Sequence, residues 1–198
     1  MARRTSAALE RSPLPAEFDV ILIAARSGER WACTSIYERL APAVAGYLRA
    51  QGADEPDDLA SEVFLRVFSG CPSFSGTEAQ FRAWVFTIAH SRLVDARRAK
   101  NRAPEMQGLE DESFERRAPS AVGAEEEAMD RLGVTEADEL LGTLTADQRD
   151  VLMLRLIGQM SVEETATALQ KPPGAIKALQ RRALATLRRR LGPEGGDR

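Results

Sequence analysis

The sequence predicts an all-α fold of two small helical domains, a bundle followed by a helix-turn-helix domain, joined by a flexible acidic linker. Ala, Leu, Arg and Glu dominate the 198 residues, and runs of β-branched residues are missing. Apolar residues recur every three to four positions, which is the period of an α-helix. A stretch rich in acids, Pro and Gly interrupts this pattern near the middle of the chain, so two domains are expected.

The boundaries of the segments follow from where the helical period starts and stops. We expect a disordered lead at residues 1–16, a first domain at 17–103, the linker at 104–123, a second domain at 124–192 and a tail at 193–198. The lead is short, basic and proline-containing, and the linker combines Pro104, Gly108 and Pro119 with many acids.

The first domain is predicted to begin with two or three helices between residues 17 and 52. Gly28 and Gly52 are the expected stops. The apolar positions of these helices are Phe18, Ile21, Leu22, Ala25, Trp31, Ile36, Leu40, Val44, Tyr47 and Leu48.

Two further helices have clear start signals. Asp54 is predicted to cap the first of them, with Pro56 in its first turn and Ser69-Gly70 as its end. A capping box at Thr77–Gln80 opens a long helix whose apolar face fades where arginines begin near Arg92. The apolar face of the shorter helix comprises Leu59, Val63, Phe64, Val67 and Phe68.

The second domain ends in a pattern typical of a helix-turn-helix. An apolar series from Met129 to Leu144 predicts its first helix, and capping boxes at Thr145–Gln148 and Ser161–Glu164 open two more. A turn at residues 170–172 follows, and Pro173 begins the last helix. The second helix of such a motif enters the major groove of DNA.

Charge is segregated along the chain although the net charge is only −3. Residues 92–102 and 171–190 are basic, and residues 105–130 are mostly acidic. Two basic blocks around an acidic connector indicate two separate surfaces for a polyanion.

Several classes of site are excluded by composition. Cys33 and Cys71 are far apart in sequence and His90 is the single histidine, so neither a disulfide framework nor a zinc site is expected, and the thiols should be buried or half-buried. We expect no cofactor, no metal, no catalytic centre and no membrane insertion, because ligand clusters, a phosphate-binding loop and a long apolar run are all missing. The predicted location is the bacterial cytoplasm.

Five segments together resemble the extracytoplasmic-function sigma factors, and in particular their actinobacterial members. Asp57–Phe68 (DDLASEVFLRVF) resembles the helix that binds core RNA polymerase, and Phe81–Arg98 (FRAWVFTIAHSRLVDARR) resembles the promoter-melting helix. Three carboxyl-terminal runs, LTADQRDVLMLR from Leu144, LIGQMSVEETA from Leu156 and GAIKALQRRA from Gly174, resemble the family's carboxyl-terminal domain. The likeness covers about residues 17–103 and 136–191, and it implies that the first domain is a sigma-2-like bundle and the second a sigma-4-like helix-turn-helix.

The resemblance implies a non-catalytic subunit that directs polymerase to promoters. Its implied partners are the clamp and flap of core RNA polymerase, promoter DNA and an anti-sigma factor. The loop Cys71–Gly76 is expected to close a pocket for a flipped base.

The implied polymerase-binding residues are Asp57, Asp58, Leu59, Glu62, Val63 and Arg66. The implied minus-ten residues are Trp84, His90, Ser91, Arg92, Asp95 and Arg98. The implied minus-thirty-five residues are Pro173, Gly174, Ala175, Lys177, Ala178, Gln180, Arg181, Arg182 and Arg188.

The chain departs from the family pattern at three places. Ser91 stands where Asn is common, Gln170 where a turn glycine is common, and Leu179-Gln180 where Arg-Leu is frequent. Base preferences at both promoter elements are therefore expected to differ from those of the commonest members.

Two other functions compete with this interpretation. A stand-alone helix-turn-helix regulator would explain the last helix but not the paired amphipathic helices at 57–98. An enzyme would need a nucleophile, an acid–base pair or a metal in a pocket, and the sequence offers none of these.

Overall fold

The structure is a computed structural model that describes residues 15–102, 137 and 139–191. Within these ranges it contains helices and no strand, which confirms the all-α prediction. The predicted linker, the tail and the apolar positions from Met129 to Leu132 lie outside the described residues. The helices are α1 (Pro15–Arg26), α2 (Arg30–Ala50), α3 (Pro56–Gly70), α4 (Glu78–Arg102), α5 (Ala146–Leu156), α6 (Val162–Leu169) and α7 (Pro173–Leu191), with a 3₁₀ turn at Cys71–Ser73.

Helices α1 to α4 form what we call the amino-terminal bundle. Helix α2 packs against α1, α3 and α4, and Tyr47, Phe81 and Phe86 are the largest side chains buried between them. Each large apolar side chain removed from water in this way stabilises the fold by about 1.5–3 kcal/mol. Both thiols are free as expected, with Cys71 buried and Cys33 half-buried in this core.

Three details of this bundle differ from the prediction. Helix α1 begins at Pro15 rather than Glu17, since proline suits a first helical turn. Trp31 is 53% exposed, because α2 buries Ala32 and Ile36 and the preceding position points about 100° away. Asp54 does not cap α3; its carboxylate accepts hydrogen bonds from Lys100 Nζ at 2.9 Å.

Helices α5 to α7 form the carboxyl-terminal bundle. Val151, Ala166, Ile176 and Leu179 make a small core beneath the helix-turn-helix. All three predicted capping boxes are confirmed: Thr77, Thr145 and Ser161 each exchange hydrogen bonds with the residue three positions later. These bonds fix where α4, α5 and α6 begin.

The two bundles share buried surface. Leu144, Leu152, Met153, Leu154, Met160 and Ala183 belong to the same buried cluster as the core of the amino-terminal bundle. Helix α4 contacts α6, and α2 contacts α5.

The turn before α7 supplies a stability prediction. Gln170 adopts a left-handed conformation with φ 53° and ψ 41°, which costs a residue with a Cβ roughly 1–2 kcal/mol. Its side chain is exposed, so Gln170→Gly removes this cost without losing a contact. We expect a gain of about 0.5–1 kcal/mol in the free energy of unfolding, since glycine also raises the entropy of the unfolded chain.

The measurement is chemical denaturation of the full chain. Gln170→Ala is the matched control, because alanine meets the same steric cost and should bring no gain. A Gln170→Gly variant no more stable than the alanine variant would contradict the prediction.

Candidate nucleic-acid interface

Helix α7 has a basic exposed face because its apolar side chains pack into the core and its cations lie on the other faces. Ile176, Leu179 and Ala183 are buried, and the helix is held against α5 and α6. The cations on the remaining faces are exposed: Lys177, Arg181, Arg182 and Arg188. Arginine and lysine at such positions can bind phosphates or the edges of guanine.

The start of α7 is open toward solvent. Pro173 and Gly174 are exposed, and a Cβ added to Gly174 would meet no atom within 4 Å. Ala175, Ala178 and Gln180 are half-buried, so they are less available than the arginines. Pro173 has no amide hydrogen, and the amides of Ala175 and Ile176 donate to the backbone oxygen of Pro172 at 2.9 and 3.2 Å, so Gly174 carries the amide at this end that could meet a phosphate.

Lys171 is a candidate contact that the sequence interpretation missed. It lies in the turn between α6 and α7, and its Nζ is 3.1 Å from Asp147 Oδ2 on α5. The sequence already placed this lysine inside the predicted turn of the helix-turn-helix, and that position could have identified it as a candidate DNA contact.

Helix α4 carries two polar faces that point in different directions. Ser91, Asp95 and Arg98 are exposed on one of them. His90 and Arg97 lie on the other face and are half-buried against the carboxyl-terminal bundle. The predicted minus-ten residues therefore do not all share one free surface.

Aromatic rings close the amino-terminal end of α4. Phe74 stacks on Trp84 with ring centroids 5.1 Å apart, and it meets Phe81 edge-on at the same separation. The loop Cys71–Gly76 is thus anchored over Trp84, which leaves Trp84 half-buried. Phe74 therefore covers one face of the Trp84 ring, and a base cannot stack on that face in this structure.

A separate open cleft lies between α3 and α4. Its volume is about 360 Å³, and its lining residues are Arg66, Ser69, Ile88, Ser91 and Arg92. The loop Cys71–Gly76 does not line it. The cleft combines two cations, two hydroxyls and one apolar side chain, which suits a polar, flat and anionic ligand better than a purely apolar one.

His90 sits in a polar cluster at the boundary between the bundles. Its Nδ1 is 3.0 Å from the hydroxyl of Tyr47, and Arg97 donates to the backbone oxygen of Gln51 at 2.5 Å. Burial lowers the pKa of His90, Asp150 on α5 opposes that shift, and Arg97 adds to it. His90 is therefore favoured in its neutral form at physiological pH.

Helix α3 exposes most of the residues predicted to bind polymerase. Asp57, Asp58, Glu62 and Arg66 are exposed, and Leu59 is half-buried. Val63 is fully buried at 0% exposure and lies in the middle of the apolar face that packs on the bundle. In this structure it supports the helix from within, and its assignment to the polymerase-binding surface stays a prediction.

Leu65 was overlooked on the same helix. Its side chain is 72% exposed although it is a large apolar residue. It lies off the buried face, between Glu62 and Arg66, and that mismatch with the helical period was visible in the sequence.

An ion pair links the two predicted surfaces of the amino-terminal bundle. Arg92 of α4 donates to the carboxylate of Glu62 on α3 in a short contact and lies 3.9 Å from Asp95. Glu62 is 52% exposed, so solvent screens the pair. The pair couples the position of a predicted minus-ten residue to that of a predicted polymerase-binding residue.

Other kinds of site are not seen in the described ranges. Among residues 15–102, 137 and 139–191, no three His, Cys, Asp or Glu side chains are grouped so that they could hold a metal ion. In the same ranges no helix has both the length and the apolar character needed to cross a membrane.

Two protein-family models match the chain, one for each bundle. Sigma-70 region 2 matches residues 36–103, and Sigma-70 region 4 matches residues 135–187. The first match contains most of α2, together with α3 and α4, and the second contains α5, α6 and most of α7.

Curated relatives and a solved structure agree with these matches. The ECF RNA polymerase sigma factor SigD of Mycobacterium tuberculosis is 33% identical over 86% of this chain and 82% of its own length. The ECF RNA polymerase sigma factor ShbA of Streptomyces griseus is 35% identical over 67% of this chain and 69% of its own length. The structure of CnrH in complex with the cytosolic domain of CnrY shares the fold, with a TM-score of 0.61 at 23% identity over 89% of this chain and 97% of that one.

The two family models together cover the helices that carry the basic surfaces, and the alignment with SigD, at 86% of this chain, is long enough to include both bundles. The chain therefore belongs to the sigma-70 family, as an RNA polymerase sigma factor of the extracytoplasmic-function group.

Proposed function

We propose that α3 docks this sigma factor on core RNA polymerase, that α4 opens the minus-ten element and that α7 recognises the minus-thirty-five element. The observation that carries this proposal is the pair of basic helices, one in each bundle, which fall within the matches to regions 2 and 4. Two DNA-binding surfaces on one chain suit a factor that positions a larger enzyme along a promoter.

The exposed side chains of α7 support recognition of the minus-thirty-five element. Lys177, Arg181, Arg182 and Arg188 follow one another along the exposed side of the helix, within the length that a recognition helix inserts into a major groove. Lys171, if it exchanges Asp147 for a phosphate, and the amide of Gly174 could bind flanking phosphates.

The cleft between α3 and α4 supports capture of an unstacked base at the minus-ten element. Ser91 and Ile88 could contact the base, while Arg66 and Arg92 could contact the adjacent phosphates. Holding an extruded base offsets the few kcal/mol that unstacking costs. Ser91 lines this cleft, so the base preference should depend on its hydroxyl.

The exposed face of α3 supports docking on the polymerase clamp. Asp58, Glu62 and Arg66 follow one another at one-turn intervals along the exposed side of α3, and the exposed Leu65 lies beside this row. A partner surface with a small apolar depression and complementary charges would fit this face.

The remaining assignments follow from the family. We propose that the chain has no catalytic centre of its own and that it acts in the cytoplasm. We also propose an anti-sigma factor as a partner, as the family resemblance implies; CnrH, which shares this fold, was solved in complex with another protein, the cytosolic domain of CnrY.

Transcription with purified components tests the proposal against the stand-alone regulator. We expect little sequence-specific binding by the free chain, and new transcript start sites once core polymerase is added to a promoter library. Tight specific binding to duplex DNA by the chain alone would favour the regulator instead.

Arg181→Ala and Arg182→Ala should each weaken minus-thirty-five recognition. A bidentate contact to guanine contributes about 1–3 kcal/mol, which corresponds to a roughly 5- to 150-fold loss of promoter occupancy. The measurement is run-off transcription from a promoter selected with the wild-type holoenzyme. Arg189→Ala is the matched control, because it removes the same charge from the same helix at a position outside the predicted contact residues. If the wild type and all three variants transcribed equally well, the two arginines would not be part of the interface.

Glu62→Lys should reduce binding to core polymerase about tenfold, or ~1.4 kcal/mol, because it reverses the charge at the centre of the exposed face of α3. Binding is measured by titrating the chain into labelled core enzyme. Arg92→Gln separates the two explanations, since it also breaks the pair with Glu62 but leaves the carboxylate in place. A similar loss in both variants would mean that the ion pair, and not the charge of Glu62, matters for docking.

A further inference from the structure

The cleft between α3 and α4 has two walls of different character. Arg66 and Ser69 form the α3 wall, and both of these polar residues are exposed. Ile88, Ser91 and Arg92 form the α4 wall, so Ile88 is the one apolar residue among the five that line the cleft. Ile88 is half-buried, because part of its side chain packs on the core of the amino-terminal bundle and the rest lines the cleft.

The polar groups of the cleft are mainly hydrogen-bond donors. The guanidinium of Arg66 makes no ion pair or hydrogen bond with another described residue, so its N–H groups are free to donate. Arg92 is also a cation, but the carboxylate of Glu62 already holds it. The five lining residues include no carboxylate and no amide, so the hydroxyl oxygens of Ser69 and Ser91 are the acceptors that their side chains supply.

The two hydroxyls differ in what they can offer a ligand. Ser69 donates its hydrogen to the backbone oxygen of Arg66 at 2.9 Å, so its oxygen can only accept from a molecule in the cleft. The Ser91 hydroxyl is exposed and makes no hydrogen bond with another described residue, so it can donate or accept. A base in the cleft therefore meets one acceptor, one adaptable hydroxyl and the free N–H groups of Arg66.

Thymine matches this set of groups better than the other DNA bases do. It carries carbonyl oxygens for the donors, an N–H for a hydroxyl oxygen, and a C5-methyl group for an apolar contact. Adenine, guanine and cytosine each carry an exocyclic amine, which only donates and meets no carboxylate or amide oxygen among the lining residues. These three bases also lack the methyl group, so they would leave Ile88 without an apolar partner.

We propose that this cleft selects thymine at one position of the minus-ten element, and that Ile88 determines this specificity by contacting the C5-methyl group. The inference rests on the proposed function, which supplies the unstacked base. Arg66 and Ser91 donate to the carbonyl oxygens, and the base N–H donates to Ser69. The fork of N–H groups on Arg66 can serve a carbonyl oxygen and an adjacent phosphate together.

Base analogues separate the methyl contact from the carbonyl contacts. Binding of assembled holoenzyme is measured on forked DNA with a single-stranded non-template minus-ten element, taken from a promoter selected with the wild type. Each thymine of the element is replaced in turn. At the captured position, dU removes only the methyl group and should weaken binding about 3- to 4-fold. 5-Methyl-dC keeps the methyl group but exchanges a carbonyl for an amine, and should weaken binding about tenfold.

Three variants of the chain assign these effects to residues. Ile88→Ala should abolish the difference between dT and dU but keep the preference for dT over 5-methyl-dC. Val94→Ala is the matched control, because Val94 is another half-buried apolar residue of α4 and does not line the cleft. Ser91→Asp supplies an acceptor for an amine, and should raise binding of 5-methyl-dC relative to dT about 5-fold. Templates are compared within each holoenzyme, so differences in core affinity cancel.

The outcomes distinguish the thymine site from the function beneath it. Equal binding of dT and dU at every position overturns the site, whereas the proposed function stands if transcripts start at the selected promoter. A difference between dT and dU that persists in Ile88→Ala overturns the role of Ile88. Far-UV circular dichroism verifies folding, and Ser91→Asp, at an exposed position, carries the test if Ile88→Ala does not fold.

The aspartate variant tests the placement of the base independently of Ile88. An unchanged preference for dT over 5-methyl-dC in Ser91→Asp means that the base does not enter this cleft, and overturns the inference. A wild-type holoenzyme that binds none of the forked templates overturns the proposed function and the inference together.

Discussion

The burial of one face of α4 is the constraint on which the rest of the structure depends. Phe81, Val85, Phe86, Ala89 and Leu93 fix the rotation of this helix against α2 and α3. Once that rotation is set, Ser91 and Arg92 must point into the cleft beside α3, and Arg82, His90 and Arg97 must point toward α5. A single long helix thereby serves the fold, a candidate DNA surface and the contact between bundles, and a change in its register would move all three.

The local signals in the sequence predicted the helices well because each signal is satisfied by its immediate neighbours. The three capping boxes, the proline at the start of α7 and the left-handed Gln170 depend on residues at most four positions away. Asp54 illustrates the limit of such signals. It has the side chain of a good cap, yet its carboxylate accepts from Lys100, 46 positions later, and Glu55 takes the cap position. A local pattern cannot show that a distant amine competes for the same oxygen.

The exposure of the candidate residues could be predicted more fully on α7 than on α3 and α4. Helix α7 is one basic helix on a small core, so periodicity alone separates Ile176 from Lys177 and Arg181. Val63 was assigned to a contact surface through resemblance although its period places it in the core. Arg82, Asp150 and the pair of Glu62 with Arg92 could not be foreseen, because their partners are brought together by tertiary packing.

Electrostatics explains why the contact between the bundles is built from one acid and two carbonyls. Helices α4 and α7 both carry clusters of cations, so packing their bundles together in the absence of DNA brings like charges closer. Asp150 lies on α5 between these two helices, and the negative end of α5 accepts Arg82. Both features offset that repulsion at the point of contact. Arg98 of α4 and Arg181 of α7 take no part in this contact and stay exposed, so cations outside the contact between the bundles are the ones available to a polyanion.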